Sequence, residues 1–188
     1  GRDPVLRSGA RVGDVVAVCG SLGLSGGGLR LYLAGEPVPT GGPTGGGGPA
    51  AEAVAHLMAY HRAPRPPWES GPVAARAGAH ALIDVSDGLV TDAARVGLAG
   101  GVCLDLDGAT LREHFAAGPL TTALGDEQAL VQVLSGGEEH SLLGCFAPPY
   151  FAAQRTILPE LVGEDERRMS QANSAVEGGT AFAALIGP

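Results

Sequence analysis

The sequence contains no lysine, so all twelve of its basic residues are arginine. A P-loop needs a lysine on the nucleotide phosphates, and Schiff-base catalysis needs a lysine amine. The absence of lysine excludes both kinds of chemistry for this chain. Any binding of nucleotide phosphates would have to use metal ions, arginine side chains and backbone amides.

Cysteines and long apolar runs are also scarce. The three cysteines, Cys19, Cys103 and Cys145, are far apart and form no CxxC pair. Neither a zinc site nor a disulfide framework is therefore predicted, and we expect a reducing, cytoplasmic setting. No uninterrupted apolar run is long enough to span a bilayer, and no signal-peptide pattern is present. The chain starts with Gly1 rather than methionine, which suggests a fragment.

The balance of charge is acidic, with a formal net charge of −8 and a pI of about 5.0. Nucleic-acid binding depends on clustered arginine and lysine, so this composition argues against a nucleic-acid partner. It is compatible with cationic ligands, or with anionic ligands that bind through metal ions.

Short apolar runs alternate with helical patterns, which predicts a mixed α/β (α+β) fold. We expect strands at 13–20, 81–85, 102–106 and 142–146. We expect a turn at 21–28 and helices at 29–34, 50–60, 72–79, 89–98, 110–115 and 121–124. The prolines argue against a helix over 61–67, and 128–134 fits either a helix or a strand. The glycine- and proline-rich residues 41–49 predict a flexible insertion. Residues 149–188 form a divergent tail without a clear pattern.

The stretch IDVSDGLV, from Ile83 to Val90, places two carboxylates and a hydroxyl where a strand is expected to become a helix. In one interpretation, Ser86 or Asp87 caps the helix and Asp84 is a solvated strand end. In the other, both carboxylates face a cleft at the carboxyl end of the strand, where ligands of α/β sheets commonly bind. Two carboxylates there could hold Mg²⁺ together with substrate phosphates.

A second candidate is SGGEEH, from Ser135 to His140, between two apolar runs. Paired glycines allow the backbone to approach a ligand closely. Glu138 and Glu139 add negative charge, and His140 could titrate near neutral pH. The alternative interpretation is an acidic turn between two core segments.

The order of these motifs resembles that of the thiamine-monophosphate kinases. IDVSDGLVTDAARVGLAGGVCLDLD is similar to the aspartate-rich signature of that family, and SGGEEHSLL is similar to its GGEDYELL motif. GDVVAVCGSLGLSGGGL resembles the segment that opens the C-terminal domain of the family, and HRAPRPP resembles its Pro-Arg segment. The similarity extends from about Val5 to Pro148.

The resemblance implies that residues 1–148 form the layered α/β/α C-terminal domain of the aminoimidazole ribonucleotide synthetase-like superfamily. The intact enzyme would be a homodimeric, ATP- and Mg²⁺-dependent kinase that converts thiamine monophosphate to thiamine diphosphate. Its N-terminal domain, with most of the Mg²⁺–ATP site, is expected to be missing here. We therefore expect this chain alone to be inactive.

The same resemblance implies roles for individual residues. Asp87 would be the catalytic Mg²⁺ ligand, and Asp84 and Ser86 would line the phosphate site. Residues beside the substrate would be Gly136, Gly137 and Glu138.

Several features depart from the family pattern, among them the glycines of SLGLSGGGL, where the family prefers alanines. Glu139 stands where the family has aspartate, His140 stands where it has tyrosine, and the tail lacks the aromatic end of the family. These departures keep two other functions open. One is a degenerate, non-catalytic binding or scaffold domain, and the other is a different ATP-dependent synthetase of the same superfamily.

Overall fold

The computed structural model describes residues 3–37 and 48–148. This part of the chain contains helices and a small sheet, which confirms the predicted α+β class. A 3-10 turn (Arg7–Gly9) precedes the first strand, and a π-helical turn (Arg112–Ala116) follows α5. The remaining elements are β1 (Val15–Cys19), α1 (Leu24–Leu33), α2 (Gly48–Arg62), α3 (Ser70–Arg76), β2 (Ala81–Val85), α4 (Leu89–Gly100), α5 (Gly108–Leu111), α6 (Pro119–Leu124), α7 (Asp126–Ser135) and β3 (Ser141–Phe146).

The sheet of the described residues has three strands in the order β1-β3-β2, and both pairings are antiparallel. Cys19 pairs with Leu142, and Val85 pairs with Ser141. The last residues of β1 and β2 therefore lie beside the first residues of β3, at one end of the sheet. This register brings together the turn after β1, the turn after β2 and the loop before β3.

One hydrophobic core joins the sheet to the helices. Its fully buried side chains come from β2 and β3 and from helices α2, α4, α6 and α7. Among them are Leu57, Val85, Leu89, Leu120, Val133 and Leu143. Val16 and Val18 of β1 are partly buried and pack against the same core. Because all three strands contact this core, the helices fix the position of the sheet.

Helix α1 begins at Leu24, so the predicted turn over 21–28 is wrong in its second half. The glycines in this segment are explained by packing rather than by a turn. A Cβ atom at Gly28 would overlap the backbone carbonyl of Leu57 in α2, and one at Gly27 would lie 2.8 Å from the side chain of Leu120. Small residues at these positions let α1 lie directly against its neighbours.

Other expectations have mixed outcomes. The strands at 13–20, 81–85 and 142–146 are confirmed, whereas the strand predicted at 102–106 is absent, and Val102, Leu104 and Leu106 pack against the core instead. The ambiguous segment 128–134 is part of α7.

The remaining differences concern segment ends. Helix α2 continues to Arg62, two residues before Pro64, although a helix over 61–67 was not expected. Gly48 and Pro49, assigned to the flexible insertion, open α2; the rest of that insertion and the tail at 149–188 lie outside the described residues. No helix in the described part is both long and apolar enough to cross a membrane.

Candidate functional site

Residues Ser86–Gly88, called here the SDG turn, connect β2 to α4. The N-cap of α4 is Gly88, with a φ of 101° and no side-chain capping bond. Instead, Oδ2 of the buried Asp92 accepts hydrogen bonds from the backbone N–H groups of Ser86 (3.0 Å) and Asp87 (2.9 Å). The expectation that Ser86 or Asp87 caps the helix is therefore wrong. A carboxylate in the first turn of the helix satisfies these donors and also suits the positive end of the helix dipole.

Gly88 is required at this turn for two reasons. Its positive φ is a conformation that side chains with a Cβ rarely adopt, and a Cβ atom here would lie 2.8 Å from the carbonyl oxygen of Ser135. The SDG turn is therefore held tightly against the end of α7.

Arg95 connects the two aspartates of this region. One end of its guanidinium lies 2.5 Å from Oδ1 of Asp92, and the other end pairs with the carboxylate of Asp87. The side chain of Asp92 is 1% exposed, whereas that of Asp87 is 49% exposed. The hydrogen bond to Asp87 and, to a smaller extent, the hydrogen bond to Asp92 raise the pKa of Arg95 above its ordinary value. Arg95 is thus a permanent positive charge beside the predicted metal ligand.

Residues Gly136–His140, called here the glycine loop, run alongside the SDG turn. The backbone N–H of Glu138 donates to the carbonyl oxygen of Ser86 at 2.8 Å, and that of His140 donates to Val85 at 3.1 Å. A Cβ atom at Gly137 would collide with the carbonyl oxygen of Ser86. The two motifs that the sequence singled out are therefore joined by backbone hydrogen bonds, and glycine permits this close approach.

Two residues of the glycine loop have left-handed backbone conformations. Glu138 has a φ of 68° and His140 a φ of 53°, values that are uncommon for residues other than glycine. Nδ1 of His140 lies 3.2 Å from Oδ2 of Asp84, and its Nε2 lies 3.8 Å from Oε2 of Glu138. This backbone shape thus places an imidazole between two exposed carboxylates.

Glu139, between these two residues, points in the opposite direction and is fully buried. Its Oε1 accepts a hydrogen bond from the backbone N–H of Ser25 at 2.7 Å, at the start of α1, while Oε2 has no hydrogen-bond partner among the described residues. Burial raises the pKa of Glu139 to about 7, although backbone N–H groups near the start of α1 act in the opposite direction. Glu139 therefore anchors the glycine loop to α1.

A shallow cavity of about 850 Å³, widely open to solvent, lies next to the SDG turn. Its polar lining residues are Arg7, Ser8, Asp84, Ser86, Asp92 and Arg95. Asp84 and Ser86 both line this cavity. Asp87, Gly136, Gly137 and Glu138 do not line it, although Asp87 is bound to the cavity residue Arg95.

Sequence reasoning missed two residues of this arrangement, Asp92 and Arg95. It named Glu139 but did not predict that this side chain anchors the glycine loop. A signal for Asp92 was present, because it shares the helical face of the buried residues Leu89, Ala93 and Val96. A lone carboxylate on an apolar helix face indicates a buried partner.

The donors near Asp87 match only part of a metal site. Within residues 3–37 and 48–148, no group of three or more His, Cys, Asp or Glu side chains could hold a metal ion. The carboxylate of Asp87 is half-exposed and already attracts a cation, the guanidinium of Arg95. It can therefore supply one ligand to a Mg²⁺ ion that takes its other ligands from phosphates and water, as Mg²⁺ commonly does.

By fold and site, the chain is an α+β domain in which an acidic strand-to-helix turn adjoins a glycine-rich loop and a polar cavity. No family model matches the chain. Its relatives are nevertheless clear, and they are thiamine-monophosphate kinases, which confirms the predicted relationship. The kinase of Mycobacterium tuberculosis (strain CDC 1551 / Oshkosh) is 43% identical over 158 residues, which is 84% of this chain and 43% of that protein.

Two further comparisons agree. The thiamine-monophosphate kinase of Corynebacterium glutamicum is 33% identical over 136 residues, or 71% of this chain and 37% of that protein. The crystal structure of thiamine-monophosphate kinase from Stenotrophomonas maltophilia K279a superposes with a TM-score of 0.64 at 26% identity, covering 84% of this chain and 46% of the other. The chain thus spans less than half the length of these relatives.

Proposed function

We propose that this chain is the C-terminal domain of a thiamine-monophosphate kinase, an ATP-dependent phosphotransferase that makes thiamine diphosphate. The observation that supports this most directly is the junction between the SDG turn and the glycine loop. Glu138 and His140 donate backbone hydrogen bonds to Ser86 and Val85, so the two motifs of the family resemblance form one surface. The 43% identity to a kinase named for this reaction supports the same function.

In this proposal the phosphate oxygen of thiamine monophosphate attacks the γ-phosphate of ATP, and ADP leaves. Asp87 is the catalytic Mg²⁺ ligand, and Mg²⁺ would neutralise charge on the transferring phosphoryl group. Asp84 and Ser86 contact the phosphate site. Gly136, Gly137 and Glu138 lie beside the substrate, where glycine keeps the backbone close to the SDG turn.

The residues of the chain act mainly by positioning. Asp92 fixes the backbone of the SDG turn by accepting hydrogen bonds from the N–H groups of Ser86 and Asp87. Glu139 fixes the glycine loop from the other side through Ser25. Both parts of the site are thus held by buried carboxylates, of which Asp92 also lines the cavity and Glu139 does not.

The share of the relatives that this chain spans leads us to expect that catalysis needs a further N-terminal domain. We expect the isolated chain to have little or no kinase activity, and the complete enzyme to be a cytoplasmic homodimer. These expectations, like the individual site residues, stay predictions.

A chimera tests the proposal. The matched 158-residue segment of the M. tuberculosis relative is replaced by the corresponding part of this chain, and formation of ADP and thiamine diphosphate is measured. We expect Mg²⁺-dependent activity in the chimera, a loss of about a hundredfold or more in kcat with Asp87→Asn, and no loss with Arg112→Gln at an exposed position.

A folded but inactive chimera that binds neither nucleotide nor thiamine monophosphate would refute the proposal and favour the non-catalytic scaffold. Activity on another phosphorylated substrate, with none on thiamine monophosphate, would favour a different synthetase of the same superfamily.

A further inference from the structure

We infer that Arg95 is an internal counter-ion that occupies the carboxylate of Asp87, so that a divalent cation binding there has to displace the guanidinium. This inference rests on the proposed function for the identity of the cation, Mg²⁺. It adds a residue to which no role was assigned by the sequence motifs.

The anchor of Arg95 is stronger on one side than on the other. Oδ1 of Asp92 receives one end of the guanidinium at 2.5 Å, and Oδ2 is already held by the backbone N–H groups of Ser86 and Asp87. Asp92 is fully buried and part of α4, so its carboxylate cannot move away without leaving those N–H groups without an acceptor. Asp87 has no such second partner among the described residues, and its side chain is half-exposed.

This asymmetry makes the contact with Asp87 the one that can open. Breaking the pair with Asp92 would leave a buried carboxylate without its cation, which is costly, whereas an exposed ion pair contributes little to stability. A competing cation therefore meets a small barrier at Asp87 and a large one at Asp92. Arg95 would stay attached to α4 while releasing Asp87.

The released guanidinium would not be lost to the site. Arg95 already lines the cavity of about 850 Å³ together with Ser86. A guanidinium donates in a planar fork that suits phosphate oxygens. Exchange at Asp87 would thus leave a cation on the carboxylate and a second positive group facing the place where an anionic ligand enters.

The test is a calorimetric titration of the 188-residue chain with Mg²⁺ in the presence of inorganic phosphate, which supplies ligands that Asp87 alone does not. Mn²⁺ is used in the same way to broaden the backbone NMR signals of residues near bound metal. The variants are Arg95→Gln, Arg95→Lys, Asp87→Asn and the control Arg112→Gln. Arg112 is exposed and does not line the cavity. Arg95→Lys keeps a positive charge beside the buried Asp92, so it serves if Arg95→Gln fails to fold. Lysine cannot bridge two carboxylates as arginine does, so this variant should also hold Asp87 less firmly.

We expect Arg95→Gln to bind Mg²⁺ about three- to tenfold more tightly than the wild type, because a competing and repelling charge is removed. Arg95→Lys should fall between the two, Arg112→Gln should match the wild type, and Asp87→Asn should lose binding. Mn²⁺ should broaden the signals of the SDG turn first.

Unchanged or weaker Mg²⁺ binding in Arg95→Gln would overturn the inference. If the wild type binds and Asp87→Asn does not, the metal role in the proposed function survives that result. If no variant binds Mg²⁺, the competition is refuted together with the metal role of Asp87. The failure of the inference and the failure of the proposed metal site therefore give different results.

Discussion

The backbone N–H of Ser25 donates to Oε1 of Glu139 across 2.7 Å, and this buried contact joins the start of α1 to the loop before β3. The two residues come from distant parts of the sequence. Their hydrogen bond ties the glycine loop to a helix that was predicted, at this position, to be a turn. The stability of this contact should depend on pH.

Burial raises the pKa of Glu139 to about 7 from 4.5. A raised pKa means that the folded state binds the proton more tightly, so the contribution to stability is present below pH 4.5 and is lost as pH rises through 7. We expect Glu139→Gln to remove this decline in the free energy of unfolding. Between acidic and alkaline pH, that free energy should fall by up to about 3 kcal/mol more in the wild type than in the variant. Urea unfolding of both proteins across this range measures it.

The control for that experiment is Glu113→Gln, at an exposed position. It should keep the wild-type pH dependence. If Glu139→Gln keeps it as well, the buried carboxylate is not the group that titrates.

Asp92 should contribute more to stability than Asp87, although the sequence drew attention only to Asp87. Asp92→Asn removes the charge that holds Arg95 and weakens the acceptor for two backbone N–H groups. We expect a loss of about 2 kcal/mol for this change and less than about 1 kcal/mol for Asp87→Asn, whose ion pair is half-exposed. Equal losses in urea unfolding would contradict the assignment of Asp92 as the anchor.

Gly137→Ala should destabilise the junction between the two motifs. A Cβ atom there meets the carbonyl oxygen of Ser86, which is backbone and cannot rotate away. We expect a loss of about 2 kcal/mol and NMR shift changes confined to the SDG turn and the glycine loop. Gly71→Ala in α3 is the matched control, because nothing lies within 4 Å of its added Cβ. This change should be neutral or stabilising, since alanine favours a helix.

Glu138 offers a test of the left-handed backbone itself. Its φ is 68° and its side chain is exposed, so substitutions there report mainly on the backbone. Asparagine tolerates this conformation, whereas a β-branched residue does not. We expect Glu138→Asn to be within about 0.5 kcal/mol of the wild type and Glu138→Val to lose about 1–2 kcal/mol. A difference near zero between the two variants in thermal unfolding would show that the loop relaxes.

The sequence predicted the elements whose patterns are strong and local. The β-branched run of β1 and the apolar run of β2 are bounded by turns, and the helix predicted at 89–98 is present as α4, although its predicted side-chain cap is not. It did not predict that 102–106 lacks a partner strand, because alternation describes a face and not a pairing. The glycines of α1 were misread because their reason lies in Leu57 and Leu120, which are distant in sequence.

The candidate site followed the same division. The resemblance assigned one motif to the phosphate site and the other to the substrate, and in the structure the two are joined by backbone hydrogen bonds. The different directions of Glu138 and Glu139 could not be read from two neighbouring glutamates. That difference depends on a positive φ at Glu138 and on the N–H groups of α1.

The central position of β3 has a consequence for the order of folding. Val15 pairs with Phe146 and Ala81 pairs with Cys145, and β1 and β2 do not pair with each other. During synthesis both outer strands emerge long before the strand that joins them. The sheet can form only after β3 has left the ribosome. Until then, the backbone groups of β1 and β2 that pair with β3 have no partner strand. Such late, non-local closure predicts slow folding, and it makes the pairing of β3 the step that brings the SDG turn and the glycine loop together.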